Sequence, residues 1–349
     1  MGQHLDPGRM RLARSAIFGV GIVLVLALPR VGTSDFILRM VISVMIAVPV
    51  ALGQNLITGF GGMLSMGQAA FYGIGAYTSA LLVTHAGVPW PIALVAAGLL
   101  ACFFGFLLGF PCLRVNSDYL ILMTIGFGEI FKIVAYNWIE VTHGPRGIFG
   151  IPAPQIGPLL FDTNGRIYYL YLAIAGLCYV SMKALVSSHV GRALIAIRED
   201  ELAAAAMGIN RAYYKILAFA VGSFWAGIAG SMLAHFVSFV GPASFTVDES
   251  LLHLQYAILG GLGSLTGSVL GAVILVSLPQ VFQPLYMYRM LLSGGLMVAL
   301  MAWRPQGILG RSAAAATARK PLRSLIARLV TFTRLRSAAS QGKGATRDV

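Results

Sequence analysis

Apolar residues fall in nine blocks along the chain, at about 15–29, 36–58, 67–85, 90–110, 119–139, 167–187, 213–240, 251–279 and 286–303. Most approach the roughly 20 apolar residues that a bilayer-spanning helix needs. One connection stands apart. Residues 188–212 are polar and carry Arg192, Arg198 and Arg211, with Lys215 just beyond. Lys and Arg collect on the cytoplasmic side of membrane proteins. The first segment, 1–14, carries Arg9, Arg11 and Arg14 and is expected there. Six crossings return the chain to that side at 188–212, in keeping with its arginines. The segment 304–349 holds ten basic residues and one acid, Asp348, and belongs on the same side. An even number of crossings must then follow residue 212, so the long block 251–279 has to be two pieces. Four glycines in Gly260-Gly261-Leu262-Gly263-Ser264-Leu265-Thr266-Gly267 supply a break. The alternative is a close contact between unbroken helices.

The reading is an all-α, polytopic membrane helix bundle of about ten transmembrane segments, some short or broken. It comprises a cytoplasmic segment 1–14, a transmembrane domain 15–303 and a basic cytoplasmic tail 304–349. The apolar run from Ser15 to Leu28 has no A-x-A site after it and reads as a retained first helix. A second Gly-rich interruption lies at Gly59-Phe60-Gly61-Gly62-Met63-Leu64-Ser65-Met66-Gly67. There Gly61, Gly62 and Ser65 align with Gly260, Gly261 and Ser264. Paired breaks in two halves point to inverted repeats around a midplane pathway, although a short match among 41 glycines also arises by chance. The stretch 140–166, rich in Gly and Pro, reads as an external turn-rich cap.

Composition agrees with the pattern. Of 349 residues, 58% are apolar and 11% charged, with a mean hydropathy of +0.81. A soluble domain has about 45–50% and about 25%, so a water-soluble enzyme and a disordered chain are both excluded. Net charge is +13, and 304–349 supplies +9 of it. Orientation in the membrane accounts for this better than nucleic acid does. Cys102, Cys112 and Cys178 are scattered among apolar stretches and form neither a disulfide framework nor a metal-ligand spacing. No P-loop, HExxH or G-x-S-x-G occurs, and His85, His143, His189, His235 and His253 are far apart. Nothing in the chain suggests an enzyme, a metal site or a cofactor of its own.

Candidate chemistry concentrates in the loop from Gly191 to Asn210. It begins at a glycine read as mobile. Leu194, Ile197, Leu202 and Met207 are apolar among charges. Asp200 is placed to cap a short helix over 203–206, with Gly208 at its stop. Such a helix is a knob for a groove on another protein, or else a solvated connector.

This loop resembles the coupling loop of ABC importer permeases, whose Glu, Ala-Ala and Gly signature would fall on Glu201, Ala203-Ala204 and Gly208. The wider sequence is similar to the LivM-type permease of branched-chain amino-acid ABC importers. The resembling stretches are Gly53-Gln54-Asn55-Leu56-Ile57-Thr58-Gly59, Leu64-Ser65-Met66-Gly67-Gln68-Ala69-Ala70-Phe71-Tyr72-Gly73-Ile74-Gly75-Ala76-Tyr77 and Gly126-Phe127-Gly128-Glu129-Ile130. Gly144-Pro145-Arg146-Gly147-Ile148, Arg198-Glu199-Asp200-Glu201 and Leu259-Gly260-Gly261-Leu262-Gly263-Ser264 complete the set, over roughly 50–305. Gln68 stands where the family often has His, and Arg146 where it often has Asn. The first bears on substrate choice. The tail after Gly310 lies beyond the resemblance. What the resemblance implies is a membrane-embedded transport subunit paired with a second permease. Two ATPase subunits would dock beneath it and use the ATP, and a binding protein would deliver substrate from outside. Arg192, Arg198, Glu199, Asp200, Glu201, Leu202, Ala204, Met207 and Gly208 would form the ATPase-coupling surface. The implied location is the bacterial inner membrane with both termini cytoplasmic.

Three features remain. Glu129 and Lys132 lie at i, i+3 inside an apolar block, where charge costs several kcal/mol, about 2.5–3.5 on the gentler scales. Either they pair, or Glu129 lines the path. Gln54, Asn55, Ser65, Gln68 and Tyr77 cluster around the first break and either line a cavity or bond between helices. Leu322, Leu325, Ile326 and Leu329 among Arg323, Arg328, Arg334 and Arg336 read as a basic amphipathic helix on anionic lipid, or as a disordered tail. An ATP-independent carrier would need several intramembrane acids, and Glu129 is the only obvious one. Transport of urea or short amides on the same scaffold stays open.

Overall fold

Every apolar block within the described residues is helical in the computed structural model, which describes residue 29 and residues 34–112, 117–281, 289–304 and 306–309. The expected first helix over 15–28, the segment 1–14 and the amphipathic stretch of the tail lie outside them. Helix α1 (Asp35–Asn55) continues as a π-helix, Leu56–Phe60. After an irregular segment, 61–67, come α2 (Gln68–Thr84), α3 (Trp90–Cys112), α4 (Ser117–Asn137) and the single turn α5 (Ile139–Thr142). Then follow α6 (Asn164–Ser187), α7 (His189–Glu199), α8 (Glu201–Ala206) and α9 (Arg211–Val237). The last three are α10 (Val247–Gly260), α11 (Leu265–Val281) and α12 (Arg289–Trp303). Among the described residues, five segments are long and apolar enough to cross a membrane: Asp35–Phe60, Trp90–Pro111, Tyr119–Asn137, Asn164–Ser187 and Arg211–Val237. The long block is broken between Gly260 and Leu265, as parity required.

Two faces organise the bundle: a loop face carrying α7 and α8, and a cap face carrying residues 138–163. Asp35 starts α1 at the cap face, where Asn164 donates to its carboxylate at 3.1 Å. Gly59 ends the same rod at the loop face, against Arg198. Helix α9 runs back from Arg211 and Lys215, both bonded to Glu201 of α8, up to His235, which bonds Pro152 of the cap. Helix α2 is parallel to α9, with Gln68 at Gly222 and Ser79 at Ser231 and His235. Helix α3 is antiparallel to α9, so Gly98 faces Phe224 and Ile228 while Gly109 faces Ile216. Beyond α12, the N–H groups of Ile308 and Leu309 donate to the carbonyls of Leu259 and Gly260 at 3.0 Å, which returns the chain to the loop face.

The centre is α1 and α9. Every residue of α1 from Val44 to Asn55 is buried, as an all-round apolar helix must be. Glycines let backbones meet there: a methyl on Gly53 would sit 2.6 Å from the Gly222 carbonyl oxygen, the close approach that small residues permit between membrane helices. At the periphery, α4 and α6 present Leu122, Ile130, Ile133, Leu177 and Val180 outward. In water such a surface would aggregate, whereas lipid or another apolar subunit suits it.

The halves are related by inversion, but the correspondence differs from the one the glycines suggested. Helix α1, residues 61–67 and α2 form a full rod, an irregular return and a shorter helix. Helix α9, residues 238–246 and α10 repeat that order upside down. With 17 and 14 residues, α2 and α10 are roughly 25 and 21 Å long at 1.5 Å per residue, short of a core about 30 Å thick. They start near one another inside the bundle: Ala69 N donates to Ser250 Oγ at 3.1 Å. The two Gly-rich breaks are not counterparts. Both lie at the loop face and touch, because Asn55 accepts from Gly263 N at 2.9 Å and donates to Ser264 O at 3.0 Å.

The cap is turn-rich, as its Gly and Pro content predicted. It also contains two-residue strands. Strand β1 (Ile148–Phe149) pairs antiparallel with β4 (Phe239–Val240), and β2 (Gln155–Ile156) forms a hairpin with β3 (Leu159–Leu160). Phe149 and Phe239 stack with ring centres 4.4 Å apart.

Candidate functional site

The loop between α6 and α9 is built from strong local signals. Ser188 caps α7, its Oγ accepting from Val190 N at 3.1 Å. Val190, Ala193, Leu194 and Ile197 are buried along one side of α7, the apolar stripe of an amphipathic helix. Gly191 is buried too, with no room for a methyl beside the Val186 carbonyl. It is a packed corner, not the mobile start read from sequence, because α6 and α7 meet there at a sharp bend. Asp200 ends α7 and caps α8, its Oδ1 accepting from Leu202 N and Ala203 N at 2.9 Å. That carboxylate also favours the positive end of the helix dipole. Gly208, at φ +83°, closes α8 in the left-handed conformation.

The coupling-surface residues divide into three groups. Leu202 (76% exposed) and Met207 (83%) project as apolar knobs. Asp200 and Gly208 shape the turn that presents them, and Ala204, at 5%, is its buried floor. The remaining charged residues bond within their own chain while staying partly or fully exposed. Glu201 Oε1 accepts from Arg211 at 3.2 Å and from Lys215 at 2.7 Å, bracing α8 on α9. Arg192 donates to Ser187 O at 3.3 Å. Arg198 donates to Glu199 at 2.6 Å and to Gly59 O at 2.7 Å.

Among the pathway candidates, the structure ties three to other segments of the chain, one of them helix to helix. Asn55 is fully buried in its two bonds to the second break. The carbonyl of buried Ser65 accepts from Gln54 Nε2 at 2.8 Å. Gln68 Nε2 donates to Gly222 O at 3.3 Å, while its Oε1 has no partner among the described residues. Tyr77 is buried against Phe131 and Phe245, and its hydroxyl too has no partner there. Glu129 pairs with Lys132 at 3.5 Å, both side chains about two-fifths exposed. The pair lies on the outer side of α4, since Thr124 and Phe127 face inward, bonded to Met66 N and packed on Phe71 respectively.

Sequence reasoning did not find the junction of Ala69 with Ser250, flanked by Thr124. The signal present was the short apolar block after Gly67. It also missed the polar chain Ser231, Ser79, His235 and Pro152. Pro152 O can only accept, so His235 Nδ1 donates to it at 2.7 Å. With a neutral ring, Nε2 then accepts from Ser79, which accepts in turn from Ser231 at 2.7 Å. At the cap face, His85, His143 and Arg146 line an open cavity of about 480 Å³. Tyr72, Glu249 and His253 line a smaller one, of about 210 Å³, between α1 and α10.

Known proteins resemble this chain over most of its length. The model of the family "Branched-chain amino acid transport system / permease component" matches residues 36–301. The high-affinity branched-chain amino acid transport system permease protein LivM of Escherichia coli K12 is 40% identical over 288 residues, 76% of this chain and 68% of that protein. The permease protein LivH of Salmonella typhimurium is 28% identical over 283 residues, covering 75% and 90%. A probable LivM of Methanocaldococcus jannaschii is 27% identical over 239 residues, covering 62% and 68%. No solved structure gives a significant match. The inverted helical bundle, its exposed apolar flanks and its projecting loop have the form of a multi-pass transport subunit, and the chain belongs to the family of branched-chain amino acid transport system permease components.

Proposed function

We propose that the chain is the membrane permease subunit of an ATP-driven importer for branched-chain amino acids. The observation that carries this reading is the α7–α8 loop. It presents Leu202 and Met207 outward while Glu201 and Arg198 fasten it to the bundle. A loop that projects apolar knobs and is braced behind them can transmit force from a docked partner. Two ATPase subunits bind the ATP and dock on this face, which is cytoplasmic. A second permease of the same family pairs with this chain. A binding protein delivers substrate at the cap face, on the outside of the inner membrane. The chain itself contributes no catalytic group. ATP binding closes the ATPase dimer, the loop is carried along, and the bundle exchanges one set of contacts for another.

The test is purification of the tagged chain from its native membrane in mild detergent. Recovery of a second permease and two ATPase subunits, with ATP hydrolysis raised by a leucine-loaded binding protein, is the expected result. A lone or self-associated chain that moves leucine without ATP overturns the proposal.

A further inference from the structure

The loop-face ends of three elements meet at one side chain. Arg198, in the last turn of α7, sends Nη1 to the carbonyl of Gly59 at 2.7 Å. That carbonyl lies in the final turn of the α1 rod, where helix carbonyls lack partners within the helix and a cation is favoured by the dipole. The Arg198 side chain is only 28% exposed, so water competes less for the bond than at an open surface. Its stem and fork also fill the space left by two glycines of left-handed backbone. A methyl on Gly62, at φ +69°, would sit 2.7 Å from Arg198 Cγ, and one on Gly263, at φ +78°, 3.0 Å from Nη1. Asn55 then ties the two breaks together through Gly263 N and Ser264 O. A side chain at Gly62 or Gly263 would crowd the arginine.

We infer that Arg198 is the positioning residue that latches the coupling helix α7 to both Gly-rich breaks, so that displacement of the loop moves the loop-face ends of α1 and of the α10–α11 hairpin directly. The inference rests on the importer reading and adds its transmission joint. Glu199 holds the second arm of the fork, Nη2, at 2.6 Å and fixes its plane, which a lysine cannot reproduce because it has no fork. The two breaks sit at the loop-facing mouth of the bundle, and no helix intervenes between them and α7. Force applied to Leu202 and Met207 therefore has a direct route to both breaks through Arg198, beside the brace of α8 on α9.

The test uses the complete complex of both permeases, the ATPase subunits and the binding protein, reconstituted in sealed vesicles. Leucine uptake and ATP hydrolysis are measured together for wild type, R198M and R198K. R198M keeps the stem that packs on Gly62 and loses the donors, and R198K keeps one donor. We expect R198M to assemble and hydrolyse ATP near the wild-type rate. Its uptake per ATP should fall about tenfold or more, inside the 5–150-fold range typical of coupling between sites. R198K should recover only part of the loss, because an ammonium can still reach the Gly59 carbonyl but has no second arm for Glu199 to hold. Three results would overturn the latch: unchanged uptake per ATP in R198M, hydrolysis and uptake falling in equal proportion in both variants, or failure of both to assemble. ATP-independent uptake by the wild type would instead sink the importer reading.

Discussion

One oxygen of Glu201 accepts from two cations, Arg211 and Lys215, at 3.2 and 2.7 Å. The exposed pair with Arg211 contributes little to stability, about 0.2–1 kcal/mol, so its value with the less exposed Lys215 is directional: together they fix how α8 leans on α9. Glu201→Lys would place a third cation among them and push α8 away. The expected outcome is lost ATP-driven uptake with normal membrane insertion, read by transport assay and membrane fractionation; normal uptake would show that the brace is dispensable. At this scale the sequence is readable where an effect is local. Asp200 and Gly208 announced themselves because a cap and a stop act within a few residues of their own position. Arg198 did not, since its partner Gly59 is 139 residues away and only the tertiary fold brings the two together. The bonds of Glu201 to Arg211 and Lys215, 10 and 14 residues away, were hidden for the same reason.

Helix α8 is too short to be stable alone and owes its shape to Asp200, Gly208 and the floor under Ala204. What it offers a partner is apolar. Burying Leu202 and Met207 would contribute about 1.5–3 kcal/mol each. The double variant L202D/M207D should therefore weaken ATPase docking by about 3 kcal/mol or more, roughly a hundredfold in affinity. Co-purification of the ATPase subunits at graded detergent wash reads this, and undiminished recovery would remove the knobs from the interface. The break between α10 and α11 was legible at this scale, because charge parity demanded an extra turn and four glycines supplied it. The repeat was not. Inversion preserves the order of rod, return and short helix, but it does not preserve residues: 61–67 holds three glycines, whereas 238–246 holds Gly241 and Pro242. The glycine match that sequence offered instead marks two surfaces that had to approach one another at the Arg198 joint.

For the molecule as a whole, the described bundle closes at Leu309, whose N–H donates to Gly260 O. Deletion of 312–349 should therefore leave leucine uptake largely unchanged in vesicles, and a complete loss would give the tail an essential role. The arrangement of faces can be tested independently of transport. Met207 and Leu309 belong to the loop face and Phe149 to the cap face, and all three are exposed. In a background with Cys102, Cys112 and Cys178 replaced by serine, Met207→Cys and Leu309→Cys should react with a membrane-impermeant maleimide from one side of sealed vesicles. Phe149→Cys should react only from the other. Basic residues place 188–212 and the chain end on one side of the membrane, and hydrogen bonds place Gly59, Arg198, Gly260 and Leu309 at one end of the bundle. Labelling of Leu309→Cys from the side opposite to Met207→Cys would make the crossings after residue 212 odd, and α10 and α11 could not then be a hairpin. Labelling of Phe149→Cys from the Met207 side would break the inversion, since α1 and α9 could not then be antiparallel full spans.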